Sequence, residues 1–113
     1  GGLVALYSLS RKHSNICFRL IVFHLFSQSQ LIGPPQPIVA IVGDDTILPC
    51  HLEPAMDVGA LPVEWTRPDL NPQFVHTWRE GVELLVDHHP SYEGRTSLFM
   101  DKLKDGDISL KLS

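Results

Sequence analysis

Two cysteines, a set of histidines and two pairs of aspartates are the residues in this chain whose types and spacing could do chemistry. Cys50 is followed by His51, and a cysteine beside a histidine can form an activated thiolate. Successive side chains of an extended strand point to opposite faces, so this adjacency gives the thiol no base. His76, His88 and His89, with Asp87, could hold a divalent metal. Adjacent histidines in a strand or turn also diverge, and the intervals match no metal-ligand pattern. Asp44-Asp45 and the Asp105/Asp107 pair could be catalytic carboxylates or calcium ligands. Both lie beside a glycine, where aspartate is favoured because its side chain bonds nearby backbone donors in turns. The sequence therefore predicts no catalytic residue, no metal, no cofactor and no enzyme.

Length and charge narrow the classes further. The chain has 113 residues, enough for one small domain. Residues 1–29 carry Arg11, Lys12 and Arg19 and no acid, while residues 30–113 carry 6 basic and 13 acidic groups, a net charge of −7. An acidic body without a basic patch is a poor partner for nucleic acid. No small-molecule substrate is implied either. Nine prolines and eight glycines suit short strands joined by turns.

The elements that must carry these residues fall into two parts. Arg11-Lys12-His13, the apolar run from Ile16 to Phe26 and the polar Ser27-Gln28-Ser29 have the layout of a secretory leader. The run is too short to span a bilayer, which takes about 20 apolar residues. Residues 1–29 are thus expected to be an apolar helical signal segment, and residues 30–113 the folded domain. In the second part, Leu48, Cys50 and Leu52 share one strand face, and Val63 and Trp65 share another. Phe74 to Arg79 alternates again. Ile108, Leu110 and Leu112 form the cleanest alternation, after an Asp-Gly turn expected at Lys104–Asp107. Leu48, Cys50, Val63, Trp65, Leu98, Ile108, Leu110 and Leu112 are the expected core. Trp78, with His76 on the same strand face, is the candidate for partner contact, since aromatics anchor interfaces.

Cys50, Trp65, Trp78-Arg79-Glu80-Gly81, Tyr92-Glu93-Gly94-Arg95 and Ile108 to Leu112, in this order, resemble the V-set immunoglobulin domain of the butyrophilin and myelin oligodendrocyte glycoprotein family. The resemblance runs from Leu31 to Ser113. It implies an all-β, V-type sandwich in which Cys50 is half of a core disulfide on strand B and Trp65 is the strand C tryptophan. Arg95 takes the place of the strand D arginine, which is expected to turn to water because its acidic partner would lie on strand F. By this reading strands F and G are absent and the domain is truncated after strand E, which leaves the flank of Trp65 uncovered. The implied function is recognition at a cell surface. The expected protein is a glycoprotein on the external side of the plasma membrane, reached through the secretory pathway. It would bind a protein counter-receptor on T cells and regulate T-cell responses and cytokine production in adaptive immunity. Membrane attachment would come from a region outside this chain. The alternatives are a homophilic adhesion or myelin-type structural protein on the same fold, and a non-functional gene fragment. The sequence has no Asn-x-Ser/Thr site for glycosylation: Asn15 precedes Ile16-Cys17 and Asn71 precedes a proline. Expressed in secretory cells, the product is expected to begin after Ser27 or Ser29 by N-terminal sequencing; a secreted product still starting at Gly1 overturns the leader.

Overall fold

The computed structural model describes residues 2–11, 14–23, 29–34, 36–41, 43–79, 81–84 and 88–113. Two strands, β1 (Gly2–Arg11) and β2 (Ser14–Phe23), form an antiparallel hairpin. Then follow β3 (Gln30–Ile32), β4 (Ile38–Val39), β5 (Thr46–Leu48), β6 (His51–Glu53), β7 (Val63–Thr66), β8 (Phe74–Arg79), β9 (Val82–Leu84), β10 (Thr96–Leu98) and β11 (Leu110–Leu112). The front sheet has the order β4-β1-β2-β7-β8-β9. The back layer is built from β10-β11-β5 and the pair β3-β6. This is the two-sheet arrangement of a V-type sandwich: β5/β6, β7, β8, β9, β10 and β11 stand at strands B, C, C′, C″, D and E.

Apolar residues at every second position account for the packing. Leu48, Val63, Trp65, Ile108 and Leu110 are fully buried, and Cys50, Leu98 and Leu112 nearly so. The Trp65 indole N–H reaches across to the Ile108 carbonyl at 3.3 Å. Ile108 N–H donates to Cys50 O at 2.8 Å, and Ser109 Oγ accepts from the Cys50 N–H at 3.0 Å. Strands C and E and the cysteine segment are thereby tied around one indole. Met100–Asp105 forms a 3-10 helix instead of the plain hairpin turn expected at Lys104–Asp107. Gly106 ends it with φ +83°, where a Cβ would meet Met56 O at 3.2 Å, so any side chain there is strained.

The N-terminal segment departs most from the sequence reading. Residues 14–23 are a strand, not an apolar helix. A short continuous apolar run cannot be assigned to helix or buried strand by periodicity alone. Ile16, Phe18, Ile21, Val22 and Phe23 are β-branched or aromatic, which favours the strand. β2 runs antiparallel to β7, with Leu20 across from Trp65 and Val22 across from Val63. β1 lies parallel to β4 on the other side. The hairpin thus fills the places beside strand C that strands F and G hold in a V-type sheet, and the flank expected to be open is closed. Phe18, Leu20 and Val22 are buried to within 1%, which contributes roughly 1.5–3 kcal/mol per side chain. Cys17, on the opposite face of β2, is exposed, while Cys50 is buried. Leu20 stands across from Trp65 and is fully buried.

Leu20→Ala is expected to cost about 2–5 kcal/mol of stability, read as a lower midpoint in urea. An unchanged midpoint would detach β2 from the core.

Candidate partner-binding surface

The outer face of the front sheet is assembled by register. Glu64 pairs with Thr77, Thr77 with Leu84 and Arg79 with Val82, so all five share the face opposite Trp65. Arg79 Nη2 lies 3.0 Å from Glu64 Oε1. Beyond this ion pair, Val82 is 59% exposed and Leu84 36%. On the other flank, Arg19 Nε donates to Thr66 Oγ1 at 3.3 Å, and Thr66 Oγ1 donates to Arg19 O at 3.3 Å. Thr77 on this face is buried and Glu64 largely covered, so its open part is Arg79, Val82 and Leu84, an apolar edge beside an ion pair, the mixture that protein interfaces use.

His76 and Trp78 point the other way. His76 is opposite Trp65 and Trp78 opposite Val63, and both are buried, at 2% and 5% exposure. A partner docking on the outer face meets neither. Trp78 acts from beneath: its indole N–H donates to Gly59 O at 2.8 Å. Gly59 belongs to the segment between β6 and β7, where Asp57 Oδ1 also accepts the Gly59 N–H at 2.8 Å and Val58 N–H donates to Leu103 O at 3.0 Å. This segment and the β8–β9 turn, where Gly81 has φ +79°, lie at one end of the sandwich. In variable-type domains the loops of that end carry recognition.

His76 has a different task. Its Nδ1 is 2.9 Å from Thr96 Oγ1, and the Thr96 hydroxyl donates to Val75 O at 3.2 Å. The hydroxyl's single proton is therefore committed, and His76 Nδ1–H is the donor. The contact links strand C′ to strand D across the core. Burial, with the nearby His88 adding to it, lowers the His76 pKa from 6.5 to about 4. Glu83 Oε1, at 3.6 Å, is too far and too solvated to offset the burial.

The other residues with chemical potential are placed as follows. His88 Nε2 is 3.2 Å from Thr77 Oγ1 and its ring stacks on His76 at 6.3 Å. His89 caps the short turn at Pro90–Tyr92, and Asp87 lies outside the described residues. Among the described residues, no cluster of three or more His, Cys, Asp or Glu is placed to hold a metal ion. Asp44 and Asp45 are exposed at a turn, Asp45 being 3.5 Å from Lys111 Nζ. Asp107 accepts from Ser109 N and Oγ. Arg95 is exposed, its guanidinium donating to the main-chain oxygens of Ser91 and Ser113 and lying over the Tyr92 ring at 5.5 Å.

A front sheet with strand C at its centre, a back layer of β3-β6 and β10-β11-β5, and an indole between them define a V-type immunoglobulin domain. No protein-family model matches the chain. It is 36% identical over 103 residues to myelin-oligodendrocyte glycoprotein of Callithrix jacchus, covering 88% of this chain and 42% of that protein. It is 38% identical over 85 residues to the same protein of Homo sapiens, covering 75% and 34%. Butyrophilin subfamily 1 member A1 of Homo sapiens is 39% identical over 83 residues, covering 73% and 15%. The chain belongs to the V-set immunoglobulin family of myelin oligodendrocyte glycoprotein and the butyrophilins. It spans less than half the length of these curated relatives.

The His76 geometry fixes a pH dependence. The unfolded histidine takes up a proton near pH 6.5 and the folded one only near 4. Between these values the unfolded state holds more protons, so stability falls as pH drops from 6.5 to 4, by up to about 3 kcal/mol. Urea midpoints of the parent should converge on those of His76→Gln across this window. Parallel curves would mean that His76 is not buried neutral.

Proposed function

We propose that this domain is the recognition module of a cell-surface immunoglobulin-superfamily protein. It reaches the external side of the plasma membrane through the secretory pathway and binds a protein counter-receptor on T cells, regulating their responses and cytokine production. The observation that carries this reading is the outer face of β7–β9, where the Arg79–Glu64 pair is flanked by exposed Val82 and Leu84. An exposed apolar pair beside a charge pair on a rigid sheet offers burial for affinity and charge for orientation. Similarity to a butyrophilin supports the T-cell side of the reading. Similarity to myelin-oligodendrocyte glycoprotein supports the second reading, contact between like domains on apposed membranes.

Beads bearing many copies of the domain separate the two. The expected result is binding to T cells and altered cytokine release, with a Val82→Asp/Leu84→Asp variant weakened at least about tenfold, the loss typical of a contact worth 1.4 kcal/mol or more, at unchanged melting temperature. Equal binding by the variant, or no binding above bare beads, overturns the reading. Beads that bind only one another support the homophilic alternative.

A further inference from the structure

We propose that the slot between β4 and β7 is a hairpin-binding site that a second copy of this chain can fill with its own residues 2–23, giving a dimer by reciprocal exchange. The proposal concerns the 113-residue chain itself and is independent of the counter-receptor reading.

Four observations carry it. First, the hairpin is inserted between strands that follow it in sequence, β4 on one side and β7 on the other. Within these 113 residues it is joined to the other strands through residues 24–29, so it can leave as a unit without disturbing any other connection among them. Second, the slot cannot stay empty. Phe18, Leu20 and Val22 are buried on one side of the contact, and Val63 and Trp65 on the other. An unpaired β7 edge beside such surface is a template for another strand. Third, everything the slot recognises is supplied by any copy of the hairpin: Arg19–Thr66, Leu20–Trp65, Ile21–Glu64 and Val22–Val63 on the β7 side, Leu9–Ile38 and Ser10–Val39 on the β4 side, plus the side-chain bond from Arg19 to Thr66. An exchanged hairpin therefore satisfies identical contacts, which is what makes swapping a low-cost route to dimers. Fourth, residues 1–29 hold three cations and no anion, while residues 30–113 carry a net charge of −7. The hairpin of one copy is thus drawn to the slot of another.

The six-residue connection sets the balance between the closed monomer and the exchanged dimer. A short tether gives the chain's own hairpin an effective concentration on the order of millimolar. Monomers dominate at micromolar protein, and exchange competes when unfolded chains refold at concentrations approaching that value.

The test uses two variants of the 113-residue chain, both with Cys17→Ser: one adds Ile21→Cys, the other Glu64→Cys. These positions are cross-strand partners. A third chain carries both new cysteines. The three are made without secretion, so that residues 1–29 are retained, then refolded and oxidised. The double variant is expected to close within one chain at low concentration, giving a monomer that migrates faster on a non-reducing gel. The two single variants, unfolded together and refolded, are expected to give a cross-linked heterodimer whose yield rises with protein concentration at refolding. Absence of a heterodimer above the levels of each variant alone, while the double variant closes, overturns the exchange. Failure of the double variant to close removes the hairpin from the slot and overturns the proposal as well.

Discussion

Trp65 can be fully buried only if strand C has neighbours on both edges and a second layer across its face. The indole is large, and any open side would return apolar area to water. Every major element of this chain is arranged around that need. β8 closes one edge, β2 closes the other, and the segment leading into β11 lies opposite, accepting the indole N–H through Ile108 O. The hairpin at the N-terminus thereby becomes part of the core of a domain whose other strands begin at residue 30.

The polar groups drawn inside follow the same logic. His76 is buried, yet its Nδ1–H reaches Thr96 and so fastens strand C′ to strand D. Trp78 is buried, yet its N–H holds Gly59 in the loop before strand C. Burying a polar group is tolerated when a partner is supplied, and here each partner lies on a different element. The end loops and the outer face are therefore presented on a stiff support. What a partner would touch is the ion pair of Arg79 and Glu64 and the apolar side chains beyond it.

The core around Trp65 was legible because its strands alternate cleanly: Leu48 and Cys50, Val63 and Trp65, Leu110 and Leu112 each point inward at every second position. The placement of Trp78 and His76 was not legible. Strand β8 is buried on both faces over Val75–Trp78, and a strand covered on both sides carries no alternation to say which face is inner. The outer face was missed for a related reason, since Val82 and Leu84 belong to a three-residue edge strand too short to show a pattern. The hairpin was hidden by composition. Its Arg11-Lys12 pair and apolar run match a leader in sequence, and nothing local in residues 14–23 announces that their partner lies at Val63–Thr66, over 40 residues later.

That separation has a consequence in time. A ribosome extends a chain at roughly 5–20 residues per second, so residues 14–23 emerge some seconds before the strand they pair with. Through that interval Phe18, Leu20 and Val22 have no core to enter, and the nascent chain displays the kind of apolar segment that chaperones hold. Residues 14–23 are thus made well before the strand against which they pack.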